Sequence, residues 1–459
     1  MTEVSQELIT NDFRSLYIYF GLAAIIALYL VFKSKSEYKF ELYFLAFYLL
    51  TGNINLMLTF RIPGISFFEI QPERFLLLIF LFLLTRRLVL VGLKKSTDAT
   101  WSMPWFMIVL YLFVICVVVA QFTHLDELGF AEVVATWLQA LILVVFVHTL
   151  SKISSKEAYS IIGGAIIIGA IFSSVISLIQ MGVDTSFMRY GGSRIAFGDT
   201  YRANGLFTNE YFNSYFLIIA VIWTLVTVDQ KKYKYLLVCL FCAGVFASFQ
   251  RMSWIALFVV MAIYFIRIEK VDLSRALFIG LCALGIIVGS LFFTKDISES
   301  SMVKGRLADS SGGRLEYYGL VLNNIGDKPF FGYGGMENDV YYYNILRITR
   351  DLDRASGRTG DLHSGYFTAM FYFGIPAFLC FTSFILLAIF YFARLTKYHL
   401  FFVIPYLVSL VYALGNLTNN FLFYSKPLAL LFAIHLGLGM GARHLPEYFP
   451  YLSSGPSRN

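Results

Sequence analysis

A chain of 459 residues that is 58% hydrophobic, 18% aromatic and only 14% charged holds far fewer ionic groups than the quarter usual in soluble domains. That composition excludes an ordinary soluble globular domain and a disordered chain, and points to an all-α polytopic membrane protein. The net charge of +7 comes from basic residues dispersed over short loops, which argues against a nucleic-acid partner.

A bilayer core about 30 Å thick needs roughly 17 to 25 apolar residues per helix. The sequence offers about thirteen such stretches: 15–32, 41–60, 75–93, 105–122, 131–150, 158–180, 211–228, 235–250, 253–266, 276–294, 365–393, 400–414 and 421–440. Continuous apolar runs of this length are helices, since barrel strands alternate in polarity. One integral membrane domain over 1–459 is expected, with polar loops at 181–210 and 295–364. The acidic residues ahead of the first stretch and the lack of a small-residue cleavage site argue against a cleaved signal.

Basic loops set the expected orientation. Lys33, Lys35 and Lys39, then Arg86, Arg87, Lys94 and Lys95, then Lys152 and Lys156, then Lys231, Lys232 and Lys234, then Arg267, Lys270 and Arg275, then Arg394 and Lys397 all fall on one side if each stretch spans once. That side is cytoplasmic, so the amino terminus lies outside and the tail from Gly441 inside. The weakest pair is 235–250 and 253–266, each short for a span; basic loops on both flanks favour two spans with Arg251 at an outside turn.

The spans carry little chemistry. Cys116, Cys239, Cys242, Cys282 and Cys380 all lie in apolar segments and read as packing residues, the Cys239-x-x-Cys242 pair included. Asn53, Asn55, Gln139 and Asn213 read as interhelical hydrogen-bonding groups. Charged residues cluster at the span ends, with Lys426 in the last stretch the exception. An ion-coupled transporter would instead place ionisable groups near the midplane.

Two outside excursions concentrate arginine. The first, Met181 to Glu210, holds Arg189, Arg194 and Arg202, the last followed by Ala-Asn-Gly-Leu-Phe and leading directly into a span. A guanidinium there sits at headgroup depth, where its planar fork suits phosphate oxygens; Arg189 and Arg194 read equally well as solvated or lipid-facing groups. Arg251, between two spans, can lie at the same level as Arg202 and share its anion. The second excursion, Lys295 to His363, contains six Arg and three Lys and is long enough to form a small helical cap. In it lie Gly313-Arg314-Leu-Glu316-Tyr317-Tyr318, a candidate amphipathic helix, then Asp327-Lys-Pro-Phe-Phe-Gly-Tyr-Gly-Gly, and finally Asp361-Leu-His363-Ser364. His363 is the one histidine closing an arginine-rich outside loop, and imidazole suits proton abstraction from a hydroxyl near neutral pH. His124 falls in a short outside loop. Asp351 and Asp353 read as solvated loop charges, so no metal site is expected.

In this order, Arg202-x-x-Gly-Leu-Phe, Arg251 before a span, Gly313-Arg314, Pro329-Phe-Phe-Gly-x-Gly, His363 and Gly374-Ile-Pro resemble the O-antigen ligase and O-antigen polymerase superfamily, GT-C-type membrane glycosyltransferases of bacterial surface polysaccharide assembly. The resemblance is strongest from about Arg202 to Pro376. It departs at Gln250-Arg251, where the family often has Ser-Arg, and at His363-Ser364, where it often has His-Asn.

The resemblance implies a multi-pass protein of the bacterial inner membrane with its active site facing the periplasm, using neither metal nor other cofactor. It implies an undecaprenyl-diphosphate-linked glycan donor, a glycan or lipid A core acceptor and membrane lipid as partners, with a chain-length regulator as a further one. It makes His363 the catalytic base, places the diphosphate on Arg202, Arg251 and Arg314, and gives Asp361, Glu316 and Tyr317 supporting places. The His-Ser departure and the wealth of Tyr and Phe lean toward polymerase over ligase. A polysaccharide flippase would need a polar path through the spans, and a structural scaffold would leave Arg202, Arg251, Arg314 and His363 far apart.

Overall fold

A computed structural model describes residues 13–52, 60–61, 69–70, 75–83, 103–125, 130–153, 155–189, 195–197, 200–270, 318–319, 321–334, 364–421, 426–443 and 445. Helices dominate, and the chain is an all-α polytopic membrane protein. In chain order they are α1 (Phe13–Phe32), α2 (Lys39–Thr51), α3 (75–83), α4 (Trp105–Phe122), α5 (Phe130–Ile153), α6 (Lys156–Gly182), α7 (Glu210–Thr227), α8 (Lys231–Ala247), α9 (Arg251–Arg267), α10 (Gly365–Leu395), α11 (Val403–Thr418) and α12 (Lys426–Ala442). Among the described residues seven helical stretches are long and apolar enough to cross a bilayer, and the shorter Pro427–Ala442 is also apolar. Two short antiparallel pairs accompany them, β1 (Phe60–Arg61) with β2 (Glu69–Ile70) and β3 (Ile195–Phe197) with β4 (Thr200–Tyr201).

The expected stretches match most helices to within a few residues. One does not: the stretch 41–60 is helical only to Thr51, after which Gly52 turns at φ 58°, and Phe60 lies in β1. Its apolar content gave the appearance of a full span, but a glycine in the left-handed region ends a helix. The doubtful pair is two helices, as the flanking charges indicated: α8 and α9 of 17 residues each, separated by a turn in which Phe249 has φ 50°. Lys426, expected inside the last span, is the first residue of α12. The stretch 276–294 lies outside the described residues.

α7 is the hub. It packs against α6, α8, α9, α11 and α12, and 83% of its span is buried against 33% for α1. Its sequence explains this: Phe216 to Ile222 is apolar on every face, the signature of a helix surrounded by others. Without a hydrophobic drive between helices in lipid, close packing and interhelical hydrogen bonds hold the bundle. Trp223 Nε1 donates to His435 Nε2 at 2.7 Å and joins α7 to α12. Tyr264 donates to the Leu225 carbonyl at 2.8 Å and joins α9 to α7, while Tyr159 donates to the Leu438 carbonyl at 2.7 Å and joins α6 to α12. α10 lies between α4 and α11.

Candidate active site at one end of the bundle

Arg202 follows β4 and precedes a tight turn that is sewn into the bundle by polar side chains of α6. Gln180 Oε1 accepts from the amides of Asn204 and Gly205 at 3.0 and 2.9 Å, and Ser173 Oγ accepts from the Leu206 amide at 3.0 Å. Ser173 in turn donates to Asn213 Oδ1 at 2.7 Å, and Asn213 Nδ2 donates to Ser177 at 2.8 Å. Asn213 is thus the interhelical hydrogen-bonding group that its place in a span implied. Gly205 has φ 54°, and a Cβ there would meet Ser173 and, at 2.7 Å, Asn213 Oδ1. The Arg-x-x-Gly-Leu-Phe spacing therefore has a structural cause: only glycine lets the turn descend between α6 and α7.

The turn also reaches α8. The Ala203 amide donates to the Ala247 carbonyl at 3.0 Å, four positions before Arg251, which opens α9 and is exposed. The loop of Arg202 and the turn of Arg251 are therefore joined by backbone. Arg202 Nη1 pairs with Glu210 Oε1 at 3.1 Å; the arginine side chain is 23% exposed and the glutamate 7%. Glu210 is the first residue of α7, capped by Asn209, whose side chain accepts from the Tyr211 amide; a carboxylate there is favoured by the positive end of the helix dipole.

Arg189 lies behind this pair. Its side chain is fully buried; Nε donates to the Thr185 carbonyl at 2.5 Å and Nη1 to the Arg202 carbonyl at 3.1 Å. Burial lowers its pKa to about 10, with Glu210, Tyr201 and Asp184 acting in the opposite sense, so it stays cationic at neutral pH. From the sequence, Arg189 reads as a solvated or lipid-facing group as readily as a functional one. It is in neither solvent nor lipid, and Glu210 was not singled out at all; the one available signal was its position as a first-turn acid eight residues after Arg202.

The Pro329-Phe-Phe-Gly-Tyr-Gly motif docks on a broken helix. Inside α10, Gly374 has φ 86° and ψ 174°, two residues before Pro376. The amides of Tyr333 and Gly334 donate to the carbonyls of Phe371 and Tyr372, both at 2.9 Å, and the Ile375 amide donates to the Pro329 carbonyl at 2.8 Å. The segment thus takes over backbone partners that a continuous helix would have kept for itself. From α4, Gln121 Nε2 donates to the Gly334 carbonyl and His124 Nε2 to the Gly332 carbonyl at 3.0 Å. His124 is only 6% exposed, at the end of α4. Expected in a short loop, it lies in the turn that follows α4 and holds the docked segment.

His363, Asp361, Arg314, Glu316 and Tyr317 lie outside the described residues, as do Asp351, Asp353 and most of 295–364. Ser364, which follows His363, caps α10 by accepting from the Phe367 amide, and donates to the Asn416 carbonyl at 3.1 Å. The Gly365 amide donates to the Asn419 carbonyl at 3.0 Å, and the Phe421 ring lies 4.6 Å from that of Tyr215, in the second turn of α7. These contacts put Ser364 at the end of the bundle that carries Arg202 and Glu210.

Two arginines on joined loops, a buried carboxylate and a docked loop at the start of a long helix suit the binding of an anionic headgroup. Residues 235–382 match the family model described as O-antigen ligase. The match spans α8, α9, the docked motif and the first half of α10, and so bears out the resemblance to the O-antigen ligase and polymerase superfamily. No curated protein matches the chain. Residues 235–382 are thus similar to an O-antigen ligase/polymerase-type domain, a likeness that points to a lipid-linked glycan transferase, and the apolar helices make the chain a multi-pass membrane protein.

Proposed function

We propose that the chain polymerises undecaprenyl-diphosphate-linked oligosaccharide repeats of O-antigen or a related surface polysaccharide, at a site facing the periplasm of a bacterial inner membrane. The observation that carries this reading is the joining of the Arg202 loop to the Arg251 turn within and beside the matched segment. Arg202, Arg251 and Arg314 hold the diphosphate and offset the charge that develops as it leaves, since fixed cations that need no reorientation lower the barrier. His363 takes the proton of the acceptor hydroxyl, which attacks the anomeric carbon as the bond to the diphosphate oxygen breaks; direct displacement inverts that carbon. Asp361, Glu316 and Tyr317 support these groups. No step calls for a metal or nucleotide sugar. A chain-length regulator is a further partner.

Ligase activity toward lipid A core is the second reading, favoured by the description of the matched family. Two features that leaned toward polymerase lose weight. Ser364 acts as a helix cap, for which Asn serves equally, and many aromatics are packed inside, as in the stacked Tyr412–Phe432 pair at 3.9 Å. A deletion strain separates the readings: a core capped by a single repeat identifies a lost polymerase, whereas accumulated lipid-linked polymer with bare core identifies a lost ligase. Reporter fusions after Thr97 and Lys156 are expected to be cytoplasmic and those within 299–360 periplasmic; a cytoplasmic long loop overturns the reading.

A further inference from the structure

We propose that Glu210 and Arg189 are positioning residues that set the Arg202 guanidinium in the pose taking one phosphate of a lipid diphosphate. This deepens the function proposed above and rests on it for the identity of the anion.

Three observations carry it. Arg202 is tied at both ends: its guanidinium to Glu210 at 3.1 Å and its carbonyl to Arg189 at 3.1 Å. Arg189 uses two donors of one rigid fork for two backbone carbonyls, Thr185 and Arg202, and so fixes the spacing between the end of α6 and the entry to α7. Arg189 Nη2, buried, has no hydrogen-bond partner among the described residues. A buried cation left short of one partner is costly to keep. The arrangement fits a group retained to shape its surroundings.

Charge alone gives the opposite expectation for Glu210, because a carboxylate beside an anion site repels the ligand. Here, however, Arg189, Arg202 and exposed Arg251 outnumber the carboxylates of Glu210 and Asp184 by one charge, so the site remains attractive with Glu210 in place. What Glu210 contributes is order. An unpaired arginine at a loop end samples many rotamers, and fixing it on binding weakens affinity. Glu210 fixes it beforehand, from the start of a helix whose span is 83% buried. The two effects differ in sign and are separable by experiment.

The test is direct titration of the purified full chain in detergent with undecaprenyl diphosphate, each variant first checked as monodisperse. Arg202→Ala is expected to weaken binding at least tenfold. Glu210→Gln, nearly isosteric, is expected to weaken it about threefold to tenfold although it removes a negative charge, and Arg189→Lys to weaken it similarly although it keeps the positive one. In the Arg202→Ala background, Glu210→Gln is expected to add nothing, whereas a general loss of structure would still weaken binding. Unchanged or tighter binding by Glu210→Gln, with Arg202→Ala still defective, overturns the positioning role and leaves the anion site standing. Wild-type affinity in Arg202→Ala, or no binding by the unaltered protein, overturns the anion site itself.

Discussion

The amide of Ala203 and the carbonyl of Ala247, 3.0 Å apart, fasten the loop after β4 to the last turn of α8. Arg202 precedes one partner by a single residue and Arg251 follows the other by four, so neither arginine can shift along the membrane normal without straining this bond. The pairing lies between segments more than forty positions apart in sequence and is invisible to any reading of local pattern.

Coupled arginines respond together. Arg202→Lys and Arg251→Lys each keep the charge and lose the bidentate fork, and each should lower transfer from a lipid-linked donor by about tenfold or more while expression persists. The double variant should lose less than the product of the two, since one anion is shared. Fully multiplicative losses, measured as kcat/KM, would place the two guanidinium groups in separate sites.

The two loop histidines should separate by type of defect. His363→Ala is expected to slow transfer by about 10² to 10⁴, the range for a lost general base, with donor binding retained. His124→Ala removes a hydrogen bond to Gly332 and should lower the unfolding temperature in detergent with much smaller loss of turnover per folded molecule. Near-normal turnover by His363→Ala would pass the role of base to Glu316 or Asp361.

Gly374→Ala should destabilise the protein. Its φ of 86° is costly for any residue with a Cβ, by about 1–3 kcal/mol, and that Cβ would run into the Phe330 carbonyl. A thermal unfolding scan should show a lower midpoint. An unchanged midpoint would mean that the docked segment is free to move.

Ser364 tests whether the His-Ser departure concerns chemistry or architecture. Ser364→Asn should leave stability and product type as they are, while Ser364→Ala should cost about 1 kcal/mol of stability. A change in the ratio of polymer to capped core upon Ser364→Asn would return the residue to the specificity question.

The bundle was legible wherever apolar length decides the outcome: α1, α4, α5, α6 and α7 fall close to their expected limits, because a bilayer leaves helices little choice. It failed at 41–60, where a single glycine outweighs composition. In the site, Arg202 and Arg251 were marked by place alone. Arg189 was not, since nothing local separates an arginine that braces a backbone from one in solvent. The Pro-Phe-Phe-Gly-Tyr-Gly motif was recognisable as a turn, but its receptor lies some forty residues on, and only Gly374-Ile-Pro376, an adjacent glycine and proline rule-breaker in an apolar run, hinted at the break.

That break makes the first third of α10 and the docked segment a single structural unit. Gly374 lies nine residues past Gly365, about 14 Å along the helix axis at 1.5 Å per residue, so a piece of the polar loop is carried well below the helix start. The buried carbonyls of Phe371 and Tyr372 would lose their partners without it, at a penalty of about 1–3 kcal/mol each. The 329–334 segment therefore cannot lift away from α10 without breaking the three main-chain hydrogen bonds that stand in for those of an unbroken helix.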